Sequence, residues 1–417
     1  MAHLHITGGR SLEGELVAAG AKNAALPIMA AALLAKGDVC LSRVPNITDV
    51  GVMSEILRSI GARVEFNGSG KMVINGDNIT TVRAPYELVG MMNASFDIAG
   101  PLLARYQEAE VPLPGGCNLG SRPVNLHLDG FRSLGAEVSS DHGYIRVKAH
   151  SLRGNRIFFP KTSVGATKNC MMAATLAEGR TILENAAREP EVVDLASFLN
   201  RMGARISGMG SPNIEIEGVS ELHGIDYEII PDRILTGTYL IAGALTGGDV
   251  TIRKTNPDFI EALTAKLTMA NQEVATGRDW VRVKGRRPAF ALEVSSSPHP
   301  GFPTDLQPIM AAMLTLARGT SIIVETIFDR RYMYVDEMRR LGADMWVSDR
   351  TCVIRGVEKL SGAPVKAPDI RAGGALVVAA LISEGESQVS GLEFIDRGYE
   401  RIEEALVSLG ADIRRIG

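Results

Sequence analysis

Leu57-Arg58-Ser59-Ile60-Gly61-Ala62-Arg63-Val64-Glu65-Phe66 reads as a helix end, then Gly-Ala, then a strand. The phrase returns five times, as FRSLGAEVSS, LNRMGARISG, LTMANQEVAT, MRRLGADMWV and LVSLGADIRR. The aligned residues are Gly61, Gly135, Gly203, Asn271, Gly342 and Gly410. Gly, or Asn in the fourth copy, is what a left-handed helix C-cap prefers. A second element recurs in phase upstream: an Ala-rich helix ends at a short polar turn and a strand begins. Its copies are AAALLAKGDVCLS, LLARYQEAEVPLP, MAATLAEGRTILE, IAGALTGGDVTIR, AAMLTLARGTSII and VAALISEGESQVS. Each unit therefore reads helix, strand, helix, strand, turn, strand. KMVING, YIRVKA, NIEIEG, WVRVKG and TCVIRG supply closing strands with half-exposed alternation. The sixth unit lacks one, and His3–Gly8 could supply it, which would bring the termini together. A period of roughly 70 residues is too long for a solenoid and suits small α/β subdomains. Six units could close as one ring or as two groups of three, and periodicity does not choose.

The rest of the composition fits an ordinary α/β protein. The 417 residues suit several domains; 45% are hydrophobic and 22% charged, which excludes a disordered chain. Lys+Arg is 44 and Asp+Glu 48, so no basic excess argues for nucleic acid. The longest apolar run, Ala24–Ala35, contains Pro27 and is shorter than the ~20 residues of a membrane span. The opening Met1-Ala2-His3-Leu4-His5 does not read as a signal peptide. Cys40, Cys117, Cys170 and Cys352 form no CxxC pair and no disulfide framework, which predicts a soluble protein of a reducing compartment. The 44 glycines suggest short turns and small-residue packing.

Candidate chemistry sits at a few punctuated stretches. The histidines have no HExxH spacing, GSGK at Gly68–Lys71 reads as a hairpin turn, and no GxGxxG precedes a helix. No metal and no cofactor are expected. Pro112–Pro123 is Gly-rich and its Pro-Gly-Gly segment cannot hold regular structure, so Cys117 is predicted on a loop. Arg122 could lower its thiol pKa or hold an anion. Lys22 and Asn23 open the first Ala-rich helix, where backbone N–H groups favour an anion, and Ser163–Asn169 occupies the matching point of the third repeat. Ordinary capping is the competing account of both. Asp305, in Pro303-Thr304-Asp305, is either a cap or first-turn acid or a general base. Arg331, Arg371 and Arg397 fall at or near helix starts of the fifth and sixth repeats. They are solvated by default, but convergence would suit a phosphate or carboxylate.

With GAKNAALP, LPGGC-x-x-G-x-RPV, SVGAT, ENAAREPE, IPDRI, FPTD, GVEKLSGA and IDRGYERIE, the sequence resembles the bacterial UDP-N-acetylglucosamine 1-carboxyvinyltransferases, a family of enolpyruvyl transferases, from His5 to Ile416. The resemblance implies a two-domain, inside-out α/β barrel with three repeats per domain. One domain spans residues 22–229 and carries the Cys117 loop; the other combines 1–21 with 230–417, with crossings near 20 and 230. The implied reaction moves the enolpyruvyl group of phosphoenolpyruvate to the 3-hydroxyl of UDP-N-acetylglucosamine and releases phosphate. It passes through a tetrahedral ketal. It is the first committed step of peptidoglycan precursor synthesis, a cytoplasmic process serving cell-wall biogenesis, cell shape, division and the cell cycle, and a target of fosfomycin.

By resemblance, Lys22, Arg122 and Arg397 hold the phosphate, Arg331 and Arg371 face the carboxylate, and Asn23 orients the reacting centre. Cys117 is the implied general acid, Asp305 the implied base and Asp369 a supporting carboxylate. The nucleotide sugar would lie across a cleft, along Arg122, Pro123, Val124, Asn125 and Leu126, then Lys161, Thr162, Ser163, Val164 and Gly165, with Ile327 beside the sugar. Two positions depart from the family pattern: Asn93 stands where it usually has Arg, and Asn125 where it has Asp. These keep open an enolpyruvyl transferase acting on another uridine nucleotide. The sister fold that uses shikimate 3-phosphate is disfavoured by the Cys117 loop and SVGAT. A non-catalytic nucleotide-sugar sensor is disfavoured by joint retention of Lys22, Cys117, Asp305, Arg331, Arg371 and Arg397.

Overall fold

A computed structural model describes residues 2–114 and 124–417. All six recurring phrases behave alike. In each, a helix ends and the aligned residue turns left-handed, with φ of 107° at Gly61, 95° at Gly135, 110° at Gly203, 70° at Asn271, 93° at Gly342 and 98° at Gly410. Asn is among the few non-glycine residues that enter this region readily.

The first repeat shows the unit. An inner helix, Lys22–Ala31, leads to strand Val39–Ser42, an outer helix Thr48–Ser59, and a hairpin of Arg63–Phe66 and Met72–Asn75. The GSGK stretch is the turn of that hairpin. The sixth repeat is completed as expected by the N-terminus: His3–Thr7 lies antiparallel between Glu386–Ser390 and Asp412–Ile416.

The sequence pattern did not show that five of the six sheets gain another strand from a neighbouring repeat, and the remaining one a single parallel bridge. Arg156–Phe158, trailing the second repeat, pairs in parallel with Arg180–Glu184 of the third. Asp226–Glu228, trailing the third, pairs with Cys40–Ser42 of the first. Arg83 makes a parallel bridge to Glu110, linking the first to the second. These exchanges form a closed cycle of three. The other three repeats do the same: Glu293–Ser295 pairs with Ile322–Val324, Pro364–Lys366 with Gln388–Ser390, and Glu13–Val17 with Asp249–Arg253. The six units therefore form two rings of three, not one of six.

The described chain divides into two compact units, one of residues up to Ala19 with Pro231–Gly417, the other from Gly20 to Ile230. Each has its own hydrophobic core. The inner helices lie at the centre of each core. Arg233–Thr246 is buried along its whole length, and Arg371–Ala380 likewise. The sheets lie outside and alternate, as in Asn213–Glu217, where Ile214 and Ile216 point inward. Small residues let the inner helices approach closely. A Cβ on Gly100 would sit 2.4 Å from the Asn169 carbonyl oxygen, so no other residue fits without moving backbone. Among the described residues no helix is long and apolar enough to cross a membrane.

Candidate active site

In the unit containing residues 231–417, three of the singled-out side chains converge. Thr304–Leu306 forms a short 3-10 turn that runs into the inner helix Gln307–Leu314. Asp305 is a first-turn acid there, and the N-cap position belongs to Pro303. The Asp305 carboxylate accepts Arg331 Nη2 at 2.8 Å on one oxygen. Its other oxygen accepts Arg371 Nε at 3.0 Å and Nη2 at 2.9 Å. Arg331 also donates to the Thr304 carbonyl, from Nε at 3.2 Å and Nη2 at 3.0 Å. Arg331 and Arg371 are 1% and 4% exposed, so the solvated default fails for both. Burial alone would lower the Arg371 pKa, but the attraction of Asp305, with smaller contributions from Tyr399 and Asp232, holds it above the ordinary value.

Asp369 is the N-cap of the helix Ile370–Ala380, accepting the backbone N–H of Arg371 at 2.8 Å and of Ala372 at 3.0 Å. It thereby fixes the helix start from which the Arg371 side chain departs. Arg397 is half-buried, in the turn ahead of the helix Ile402–Ser408. Ile327 is half-buried just beyond the strand Thr320–Val324, and its N–H donates to the Glu325 carboxylate at 2.8 Å.

In the other unit, Lys22 is the first residue of its inner helix and is paired with Asp49 at 2.6 Å. The side chains are 9% and 4% exposed. No side chain caps this helix, whereas at the matching point of the third repeat Ser163 Oγ accepts the Ala166 N–H, which is ordinary capping. The matching Lys168 and Asn169 are also engaged internally. Lys168 meets Asp97 at 3.0 Å, and Asn169 donates to the Phe96 carbonyl and accepts the Gly100 N–H. Burial raises the Asp97 pKa despite the pull of Lys168.

Asn23 and Asn93 are half-buried, the latter opening the 3-10 helix Asn93–Ile98. Asn125 is exposed at the first position of Asn125–Ser133, with Val124 buried before it and Leu126 half-buried after it. Lys161 is exposed; Thr162, Ser163, Val164 and Gly165 are half-buried, and Thr162 Oγ1 donates to Asn185 at 3.0 Å. Cys117, Arg122 and Pro123 lie outside the described residues. Burial pushes the Cys170 and Cys352 thiols up to about 12, and burial followed by Asp226 raises Cys40. Among the described residues no cluster of His, Cys, Asp or Glu could hold a metal ion.

Sequence reasoning missed two carboxylates. Asp49 reads as an ordinary first-turn acid, and nothing local indicates that it meets Lys22. Glu325 directly follows the apolar strand Thr320–Val324 and is fully buried. Its one sequence signal is the direct succession of a β-rich run, a carboxylate and the Ile327–Arg331 stretch.

These features stand beside strong likeness to known proteins. The family model for EPSP synthase (3-phosphoshikimate 1-carboxyvinyltransferase) matches residues 6–406. A UDP-N-acetylglucosamine 1-carboxyvinyltransferase 1 from Caldanaerobacter subterraneus subsp. tengcongensis is 48% identical over 404 residues, 97% of each chain. A UDP-N-acetylglucosamine 1-carboxyvinyltransferase from Halorhodospira halophila is 47% identical over 416 residues, covering 100% of both. Among solved structures, the enolpyruvyl transferase NikO from Streptomyces tendae aligns with a TM-score of 0.89 and 26% identity, over 99% of this chain and 98% of that one. An EPSP synthase from Acinetobacter baumannii shares the fold at a TM-score of 0.79, 16% identity and full coverage of both chains. The chain belongs to the EPSP synthase family of carboxyvinyltransferases, within its UDP-N-acetylglucosamine 1-carboxyvinyltransferase branch.

Proposed function

We propose that the protein transfers the enolpyruvyl group of phosphoenolpyruvate to the 3-hydroxyl of UDP-N-acetylglucosamine, releasing phosphate. The observation that carries this is identity of nearly half the residues, end to end, with two enzymes named for that transfer. Phosphoenolpyruvate carries a phosphate and a carboxylate, and the buried guanidinium groups of Arg331 and Arg371 are suited to the latter. Both arginines are paired with Asp305. An arriving carboxylate competes for both arginines and releases Asp305 to take the proton of the attacking hydroxyl. Oxygen bonds to C2 of phosphoenolpyruvate while C3 gains a proton from Cys117, giving the tetrahedral ketal. Loss of a C3 proton and of phosphate then regenerates the double bond. Lys22, Arg122 and Arg397 take the phosphate, and Asn23 orients the centre. The nucleotide is assigned to Asn93, Arg122–Leu126 and Lys161–Gly165, with Ile327 beside the sugar.

In this reading the domain of residues 22–229 carries Cys117 and the nucleotide segments, and the domain of 1–21 and 230–417 carries Asp305 and its arginines. The activity opens peptidoglycan precursor synthesis in the cytoplasm and so serves wall growth, cell shape and division. Phosphate release with phosphoenolpyruvate and each acceptor tests the assignment. Turnover with UDP-N-acetylglucosamine is expected; turnover only with shikimate 3-phosphate or with another uridine nucleotide would overturn it.

Fosfomycin is expected to alkylate Cys117, because the thiolate is the nucleophile and the other three thiols have raised pKa values. Peptide mass spectrometry should place the adduct on Cys117; adducts mainly on Cys40, Cys170 or Cys352 would refute the assignment. Asn125→Asp is expected to change KM for the nucleotide sugar more than kcat, since the uridine end is bound similarly in ground and transition states. An equal fall in kcat and kcat/KM would place Asn125 at the reacting centre instead.

A further inference from the structure

We propose that Glu325 is a positioning residue for the reaction: a buried carboxylate that fixes the segment bearing Asp305 against the loop bearing Ile327 and Arg331. The inference rests on the reading of Asp305 as the base. Glu325 is 0% exposed. A buried carboxylate is costly unless it is well supplied with donors, and this one has four. Its Oε1 accepts Ser296 Oγ at 2.8 Å, the Ile327 N–H at 2.8 Å and the Phe328 N–H at 3.2 Å. Its Oε2 accepts Thr304 Oγ1 at 2.9 Å.

The two oxygens thus face different segments. Oε1 gathers the loop that leaves the strand Thr320–Val324 and leads to Arg331. Oε2 holds Thr304, the residue before Asp305, whose carbonyl also receives the Arg331 guanidinium. Ser296 doubles the clamp: its Oγ accepts the Thr326 N–H at 3.0 Å and its carbonyl accepts Thr326 Oγ1 at 2.7 Å. The carboxylate of Asp305 and the guanidinium of Arg331 therefore share a common support one residue away from the base. A pure need for core packing would be met by an apolar side chain. One carboxylate holding both segments suits registration of the base against a substrate-binding arginine, where a misplacement of about 1 Å costs on the order of 100-fold in rate.

Glu325→Gln keeps the shape but turns one acceptor into a donor, and Thr304→Val removes the hydroxyl on Oε2. Each is expected to lower kcat about 10- to 100-fold, with a much smaller change in KM for phosphoenolpyruvate. Thr304→Ser keeps the hydroxyl and is expected to restore the rate. Because Glu325 acts through Asp305, adding Glu325→Gln to Asp305→Asn should cost little beyond Asp305→Asn alone. An undiminished kcat in both Glu325→Gln and Thr304→Val, beside a slow Asp305→Asn, would overturn the support role only. So would an equal fall for Glu325→Gln with and without Asp305. A full-rate Asp305→Asn would overturn the reading of the base itself, and the support role with it. Should Glu325→Gln not fold, the Thr304 pair decides the matter alone.

Discussion

Asp305→Asn is expected to reduce kcat by about 10²- to 10⁴-fold, the usual contribution of a positioned general base, in an enzyme that still binds its substrates. Asparagine retains an acceptor for Arg331 or Arg371 but cannot take the hydroxyl proton. Asp305→Ala is a harsher change. It strips the counter-ion from two guanidinium groups that are 1% and 4% exposed. Removing one partner of a buried ion pair typically costs about 3–5 kcal/mol, because the remaining charge stays buried. Asp305 itself is 24% exposed, which places the loss toward the lower end of that range.

The proposed exchange of counter-ions sharpens the test. If phosphoenolpyruvate replaces Asp305 on Arg331 and Arg371, the ligand restores in the Ala variant what the mutation removed. It should then raise the melting temperature of Asp305→Ala more than that of the unmutated protein, by linkage to tighter binding. Calorimetry with and without phosphoenolpyruvate reads this directly. Equal shifts in both proteins would mean that the arginines do not change partners. An Asp305→Asn enzyme within tenfold of full turnover would remove Asp305 from the proton path.

How much of this was legible in sequence depends on distance along the chain. The six positive-φ positions were readable because a helix C-cap is a local event, decided by Gly or Asn at one site. The hairpin strands were readable because alternation is local too. The strand exchanges, such as Asp226–Glu228 on Cys40–Ser42, join segments far apart in sequence, and a three-residue edge strand has too little pattern to announce its partner. For that reason the repeat pattern by itself does not choose two rings over one, although the family motifs imply two. The site divides the same way. Inner-helix starts advertise their cations, and Lys22, Arg233 and Arg371 each fall in the first two positions of an inner helix and are buried. Their counter-charges come from elsewhere. Asp49 lies in the next helix, and Asp305 lies in the preceding repeat from Arg371. A carboxylate's burial depends on what folds over it, and nothing adjacent to Asp49 or Glu325 along the chain marks either as covered.

Lys22 provides the contrast between a residue kept for stability and one kept for chemistry. Lys22→Met removes a buried ammonium and leaves Asp49 buried without it, so a loss of about 3–5 kcal/mol is expected. Turnover should collapse as well if Lys22 holds the phosphate of phosphoenolpyruvate, but the single variant cannot separate the two losses. The double variant Lys22→Met, Asp49→Leu does. Replacing both members of a buried ion pair by apolar side chains of similar size is often neutral or stabilising. Denaturant unfolding of the double variant should therefore recover most of the stability lost in Lys22→Met. Its activity should not recover, because no cation has returned to meet the phosphate. Since the departing group is phosphate, the deficit should appear in kcat as well as in KM for phosphoenolpyruvate. Recovery of turnover together with stability would make the Lys22–Asp49 pair purely structural and leave the phosphate to Arg122 and Arg397.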